Sequence, residues 1–440
     1  MAATGSPKRL NACLLFLPGT SAMKPIWARP PGRSRKVVWR DISRAICYAT
    51  AMSEIARLHL RTADPQEELS LPGWLYHDPE YFAVEMERLI RPAWQIVCHD
   101  SDMPAPGDWR TLEIGNESVL VIRGADGTAR AFANVCRHRG SRLVDGTDGC
   151  AKRLTCPYHG WTYAADGRLI GVPYKADYPG LEQDRLGLIP VELDAWHGFL
   201  FVRLESGGPA VAEMMAPYEA EIAPYRLEEM RALGRITLRA RDVNWKNVAD
   251  NYSDGLHITV AHPGLTRLVG GDYRIEAGEH VDRMSGELVE RPSANLSERA
   301  YQKLLPADAG RSWLYFKLWP NTAFDLYPDQ IDFMHFVPVS PTETLIREIS
   351  YALPDDRREM KAARYLNWRI NRRVNAEDTA LIRRVQQGMH SRLYRPGPLG
   401  TSEVCLRSFA AKVRRLIPEA RLEAPPAPGW SGLPRASAGR

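Results

Sequence analysis

Asn134-Val135-Cys136-Arg137-His138-Arg139-Gly140 and Cys156-Pro157-Tyr158-His159-Gly160-Trp161 are the stretches on which the reading of this chain turns, because each offers one thiolate and one imidazole from a short loop. Together they read C-x-H, seventeen intervening residues, then C-x-x-H. The set suits a [2Fe–2S] cluster in which two Cys hold one iron and two His replace Cys on the other, an exchange that raises the reduction potential above that of an all-Cys cluster. A structural zinc ion also takes two Cys and two His. Zinc patterns, however, group Cys with Cys and His with His, whereas each loop here mixes the two.

A cluster of that kind only moves electrons, so an acceptor is needed. Downstream runs Asn244-Trp245-Lys246-Asn247-Val248-Ala249-Asp250-Asn251-Tyr252-Ser253-Asp254-Gly255-Leu256-His257, followed after four residues by His262-Pro263-Gly264. Non-haem Fe(II) oxygenases need two His and one carboxylate on one face of the metal, with positions left open for dioxygen and substrate. His257 and His262 are the expected imidazole ligands. A spacing of five turns the second His away from the first on a regular helix, so the helix is expected to loosen before Pro263-Gly264. Two ordinary histidines near a helix end are the competing reading, against which the upstream Cys/His loops weigh.

The carboxylate comes from elsewhere. Residues 357–391 form a charged helical stretch on which Val374, Leu381 and Val385 repeat as a buried stripe does, and Asp378 falls on that stripe. A carboxylate on a buried face is costly unless paired or metal-bound. Asp378 is therefore the expected third ligand, with Glu377 pointing about a third of a turn away. An ion pair of Asp378 with Arg373 or Arg384 is the alternative.

With Trp196-His197-Gly198-Phe199-Leu200-Phe201-Val202, the Pro320-Asn321-Thr322 turn, and Glu377-Asp378 followed by Val385-Gln386-Gln387-Gly388, these motifs resemble the alpha (catalytic) subunit of Rieske non-haem iron ring-hydroxylating oxygenases over roughly residues 70–410. The resemblance implies Cys136 and Cys156 on one cluster iron, His138 and His159 on the other, and His257, His262 and Asp378 on a mononuclear Fe(2+). It implies that Asp254 links a cluster histidine of a neighbouring subunit to His257, in a ring of three chains. It also implies a ferredoxin and/or flavin reductase as electron donor, dioxygen and a small molecule as substrates, and a homotrimer with or without a beta subunit. A pure electron carrier would leave the second half of the chain without a purpose. A metal hydrolase built on His257, His262 and Asp378 would leave the cluster unexplained.

Length and patterning divide the 440 residues into a basic extension (1–51), a helical lead-in (52–92), a cluster domain (93–205), a catalytic domain (206–415) and a C-terminal tail (416–440). In the lead-in, Phe82, Met86, Leu89 and Ile90 keep helical spacing over 79–94. Alternating runs such as 118–123 and 199–202, punctuated by Gly-containing turns, read as a small antiparallel β domain. Beyond residue 206, extended runs at 234–243, 314–318, 331–339 and 344–352 alternate with helices. The whole is expected to be α+β, with the second domain one antiparallel sheet covered by helices in a helix-grip arrangement. Residues 265–311, charged and without a strong period, are expected to form a lid or channel loop.

The net charge of +5 comes from one end, since residues 1–51 hold nine basic residues against Asp41 alone, and the remainder carries about −3. That balance argues against nucleic acid as a partner. The basic segment reads as an extension upstream of a start at Met52, or else as a transit peptide or a disordered arm. Cys13, Cys47, Cys98, Cys150 and Cys405 show no regular spacing, which points to free thiols and a cytoplasmic setting. No apolar run approaches the roughly eighteen residues of a membrane span.

The resemblance leaves the substrate open between an aromatic compound, mono- or cis-dihydroxylated, and a quaternary ammonium compound of betaine, carnitine or choline type, hydroxylated or demethylated. Such a cation needs an aromatic cage, for which Tyr252, Phe316, Phe324 and Tyr327 are candidates. Family members acting on carnitine and betaine more often carry Glu at the position of Asp254, which points to an aromatic substrate and a place in aromatic hydrocarbon catabolism.

Overall fold

Alternating apolar residues build two large antiparallel sheets, one for each metal motif. The computed structural model describes residues 68–271, 273–306 and 310–433, so the expectations for residues 1–51 lie outside them. Helix α1 (Pro79–Glu85) is capped by Asp78, whose carboxylate accepts the amides of Glu80 and Tyr81. It runs on through a π turn to Ile90, short of residue 94 because Pro92 cannot continue a helix. Ten strands follow: β1 (Gln95–His99), β2 (Asp108–Ile114), β3 (Glu117–Arg123), β4 (Ala129–Ala133), β5 (Asp148–Cys150), β6 (Arg153–Thr155), β7 (Thr162–Ala164), β8 (Leu169–Gly171), β9 (Pro190–Trp196) and β10 (Phe199–Arg203). Seven form a sheet of order β1-β10-β9-β4-β3-β2-β5, and β6-β7-β8 form a separate small one.

Two short helices, α2 (Val211–Met215) and α3 (Glu219–Ile222), lead into β11 (Arg231–Ala232) and β12 (Thr237–Arg241). Then come α4 (Trp245–Ser253), α5 (Leu256–Ala261), α6 (Pro263–Val269), β13 (Arg274–Glu276), β14 (Val281–Glu287) and α7 (Leu296–Leu304). Strands β15 (Ser312–Leu318), β16 (Thr322–Leu326), β17 (Ile331–Ser340) and β18 (Glu343–Ala352) precede the long helix α8 (Arg358–Met389) and α9 (Val404–Leu416). The second sheet has the order β11-β18-β17-β16-β15-β14-β13, with β12 also paired to β18.

Three expectations are corrected here. Residues 265–311 are not a loop: they hold the end of α6, all of β13 and β14, and α7. Several of their charges stand in ion pairs, Arg283 with Glu221 and Glu276 and Arg267 with Glu298, and so do not mark an unstructured segment. Phe316 and Phe324 face away from α8. Phe324 packs against Trp196, Phe199 and Phe201 of the first domain, so both rings are core. Finally, the buried stripe of α8 passes through Val374, Asp378, Ile382 and Gln386, leaving Leu381 at its edge and Val385 45% exposed.

Gln386 explains that last shift. Its Oε1 accepts from the Asn244 amide (2.8 Å) and Asn247 Nδ2 (2.7 Å), and its Nε2 donates to the Tyr76 carbonyl (3.0 Å). Beside it, Lys246 Nζ lies 2.7 Å from Glu85 Oε1, both side chains fully buried, and donates to the Leu75 carbonyl (2.9 Å). A buried charge needs such a partner. The Asn244–Asn247 and Gln386 motifs therefore fasten α4 to α8 and to the lead-in, which fixes where the histidines after α4 meet Asp378. Among the described residues no helix is long and apolar enough to cross a membrane.

Candidate metal centres

The two Cys/His loops adopt one geometry twice. The carbonyls of Cys136 and Cys156 accept the amides of Gly140 and Gly160 (3.0 Å each), while their own amides donate to Ser141 and Trp161 (2.8 Å each). Gly140 and Gly160 sit at φ of 72° and 71°, a region costly for a residue with a β-carbon. Asn134, after β4, braces the first loop: its Nδ2 donates to the Val144 carbonyl and its Oδ1 accepts from the Leu143 and Val144 amides. Cys136 and Cys156 are buried, whereas His138 and His159 are half-buried, with ring centroids 4.6 Å apart. Trp161 stacks on His138 at 4.9 Å.

The thiols thus lie inward and the imidazoles outward. The buried Nδ1 of His138 has no hydrogen-bond partner, an orphan that a metal bond would satisfy. The donor set fits a [2Fe–2S] cluster with one Cys-held and one His-held iron. It does not fit zinc, whose ligands must gather around one point; among the described residues only His257, His262 and Asp378 gather so. Tyr163, which the sequence gave no reason to single out, places its hydroxyl 3.3 Å from Cys136 Sγ and accepts the Arg137 amide (3.0 Å).

At the second centre the chain leaves α4 at Asp254, whose Oδ1 accepts the Leu256 amide (2.8 Å) at the start of α5. His257 sits on α5. His262 occupies the break between α5 and α6 (φ −117°, ψ 68°), the loosening that Pro263 requires. Across the pocket, α8 presents Asp378. His257 Nε2, His262 Nε2 and Asp378 Oδ1 lie within 4.8 Å of one another. The two imidazoles stand 3.4 and 2.9 Å from the carboxylate oxygen.

The other side of each ring is held as well. His257 Nδ1 donates to Asp254 Oδ2 (3.1 Å), and His262 Nδ1 donates to Glu377 Oε2 (2.9 Å). A proton fixed on Nδ1 leaves Nε2 as the free lone pair, which is how outer carboxylates prepare histidine for a metal. Glu377, to which the sequence reading gave no role, is one of these two carboxylates. Arg373 pairs with Glu377 (3.2 Å) and not with Asp378. Asn251, also unassigned from sequence, donates to Asp378 Oδ1 at 3.1 Å.

Burial works against a charge on His257, but Asp254 and Asp378 outweigh it and raise its pKa to about 9. His262 is raised in the same sense by Asp378 and Glu377 against its own burial. Burial pushes Asp254 and Asp378 up, yet their imidazole partners hold both below the usual carboxylate range. Two imidazoles and one carboxylate converge on one point, a donor set suited to Fe(II) with positions left open. Glu377→Gln is expected to weaken Fe(II) binding roughly 10- to 100-fold. Chelator competition would measure it, with cluster absorption unchanged and activity restored by excess Fe(II).

The centre opens on a cavity of about 110 Å³ between α4, α5, α8 and the inner face of the sheet. Tyr252, Tyr273, Tyr315 and Tyr327 line it, the Tyr315 ring lying 6.4, 5.9 and 6.2 Å from the rings of Tyr252, Tyr273 and Tyr327. Tyr252 and Tyr327 both donate to Asp325. Tyr252 and Tyr327 were candidates from sequence; Tyr273 and Tyr315 take the places expected of Phe316 and Phe324. A larger cleft of about 810 Å³, lined by Tyr225, Arg283 and Arg364 among others, has no converging group of three metal-ligating side chains among the described residues.

Residues 93–184 match the family described as Rieske [2Fe-2S] domain, and residues 226–419 that described as ring hydroxylating alpha subunit (catalytic domain). The carnitine monooxygenase oxygenase subunit of Escherichia coli (strain K12) is 29% identical over 338 residues, 76% of this chain and 87% of that one. The glycine betaine monooxygenase oxygenase subunit of Pseudomonas aeruginosa (strain UCBPP-PA14) is 38% identical over 212 residues, 48% of each chain. A crystal structure of a quaternary ammonium Rieske monooxygenase shares the fold, with TM-score 0.69 and 24% identity over 79% of this chain and 95% of that one.

Proposed function

We propose, for a chain that belongs to the Rieske non-haem iron oxygenases as an alpha-type subunit and so carries a [2Fe–2S] cluster and a mononuclear iron, that the substrate is a small quaternary ammonium compound. The reaction is hydroxylation of a C–H bond near the cationic nitrogen, in which R–H, dioxygen, two electrons and two protons give R–OH and water. One observation carries this reading: four tyrosine rings surround a buried carboxylate, Asp325, in the cavity beside His257, His262 and Asp378. Aromatic faces attract a quaternary cation. A neutral arene would gain the ring contacts but nothing from the Asp325 carboxylate, whereas a cation gains from both.

The names of the relatives, carnitine and glycine betaine monooxygenase subunits, support the same class. The expectation of an aromatic substrate rested on Asp254. That residue faces His257, so an Asp in place of Glu there bears on how the ring is held and says little about what the pocket admits.

In this scheme Cys136, Cys156, His138 and His159 would hold the cluster, and His257, His262 and Asp378 the iron. The cluster supplies electrons one at a time and the iron activates dioxygen. The remaining steps belong to the chain. Tyr163, donating to Cys136 Sγ, favours the reduced cluster. Asp254 and Glu377 fix the imidazole protons away from the iron. The tyrosines orient the cation and keep water from its head group. The half-buried imidazoles of His138 and His159 leave a route outward toward Asp254 of a neighbouring chain in a homotrimer, and a ferredoxin or flavin reductase delivers the electrons.

Oxygen uptake and product analysis with reduced holoenzyme test the reading. Choline, glycine betaine, carnitine, naphthalene and benzoate form the panel. Substrate-dependent uptake with hydroxylated or demethylated product is expected from at least one ammonium compound and from neither arene. Product from an arene alone would overturn it.

A further inference from the structure

The wall of the cavity beside the metal triad carries one charge without a partner among the described residues. Arg241, at the end of β12, lines the cavity and is half-buried. Its guanidinium donates to the Ala240 carbonyl (3.1 Å), and among the described residues no carboxylate pairs with it. The charge that acts on it is that of Arg383, which together with burial holds its pKa below the usual guanidinium value. A guanidinium drawn partly out of water and left without an anion costs free energy.

Two elements running side by side set these surroundings. Strand β12 pairs with β18, which puts Arg239 opposite Ile346 and Arg241 opposite Thr344, two residues apart and so on one face. On α8, Arg372, Asn375, Thr379 and Arg383 follow at steps of three and four residues and form one stripe. Arg372 acts on Arg239 and Arg383 on Arg241, so the stripe runs along β12, with Asn375 and Thr379 lining the cavity between its ends. Positive charge is in surplus there. Glu348 pairs with Arg239, and Asp242 stands 3.8 Å from Arg383 with a side chain 84% exposed. Arg372 lies over the Trp368 ring at 5.1 Å. Asp332, the other acid that acts on Arg239, is pushed by burial up to about 8 and is largely uncharged near neutral pH.

The carboxylate among the tyrosines lies toward the other end. Asp325 pairs in register with Asp332 and through it with Ser350, which is six residues along β18 from Thr344. That is roughly 20 Å between backbones, before the long arginine side chain is counted. The cavity is thus bipolar, with tyrosines and the buried Asp325 at its inner end and the half-buried Arg241 at its outer end. We infer that Arg241 is a specificity-determining residue that receives a carboxylate, and that the substrate is a zwitterion whose ammonium and carboxylate stand several bonds apart, taken in preference to a choline-type alcohol. The inference rests on the quaternary ammonium reading above and narrows it. A guanidinium meets a carboxylate through two parallel, charge-assisted N–H···O bonds, which a hydroxyl or an uncharged amide does not match.

The test is calorimetric titration of holoenzyme with 4-trimethylammoniobutanoate, its primary amide and choline. The amide keeps the ammonium and the shape of the acid and loses only the negative charge. The acid is expected to bind roughly ten-fold or more tightly than either, as charge-assisted hydrogen bonds are worth. In Arg241→Gln and Arg241→Met the acid is expected to weaken by a similar factor while the amide and choline stay level, a split that a merely structural role does not produce. Native protein that binds the amide or choline as tightly as the acid would overturn the inference and leave the ammonium reading standing. Folded variants that keep the native preference would overturn it too, since another group, such as the iron, would then read the carboxylate. Equal loss of acid and amide in folded variants refutes the assignment of Arg241. If none of the three compounds binds, both readings fall. The comparison in native protein decides on the zwitterion even if neither variant folds.

Discussion

Asp378→Ala protein is expected to keep its cluster absorption and acid-labile sulfide, to lose the mononuclear share of its iron, and to show no substrate-dependent oxygen uptake. Asp378 lies in the interior of the 32-residue helix α8, where alanine is the best helix former, so the substitution does not weaken the helix itself. His257 and His262 keep Asp254 and Glu377 on their Nδ1 atoms and so keep their orientation. What disappears is the one anionic donor at the point where the two Nε2 atoms converge. Losing an outer carboxylate costs roughly 10- to 100-fold in metal affinity, and losing one of three direct donors should cost more. Iron and sulfide analysis with thermal unfolding separates this from a folding defect: stability is expected to change by about 1 kcal/mol, the usual size for a single substitution that leaves no cavity in the apolar core. Full iron content in this variant would mean that Glu377 or Asn251 is the true third donor.

The residues that were legible in the sequence are those whose chemistry is local. Cys136 with His138 and Cys156 with His159 declare themselves by spacing, and His262-Pro263 declares the break in its helix. Glu377 did not, because its partner His262 is remote in the chain and only the crossing of α8 over α4–α6 brings them together. The tyrosine wall failed for another reason. The alternation Tyr315-Phe316 and Phe324-Asp325 is plain, but period two assigns faces only when one face is wet. Here the first domain covers one face of the sheet and α8 the other, so both faces are buried and the alternation did not tell pocket from core. Residues 265–311 misled because charge was taken to mean loop, while Arg283, Arg267 and their glutamates pair across short elements.

Asp254→Asn separates a carboxylate that merely holds a ring from one that joins two metal centres. Asp254 and Glu377 stand in the same relation to their histidines, each accepting one Nδ1 proton. Their surroundings differ. Glu377 is also held by Arg373, whereas Asp254, with a side chain 20% exposed, accepts from the His257 ring and from the Leu256 and His257 amides, which leaves one of its roughly four lone-pair sites for a second imidazole. Asparagine keeps the size but presents an N–H where one oxygen stood, so it cannot serve the Leu256 amide, His257 and a further imidazole together. If Asp254 only holds its ring, Asp254→Asn should match Glu377→Gln: weaker iron binding, with activity recovered when iron is supplied in excess. If it joins the centres, turnover should fall roughly 100-fold or more even with the iron site saturated. The chemically reduced cluster should then stay reduced in the presence of substrate and dioxygen, since the electron has lost its path. Stopped-flow reoxidation of the cluster in iron-saturated protein measures this directly. Reoxidation at the native rate would assign Asp254 to ring orientation alone.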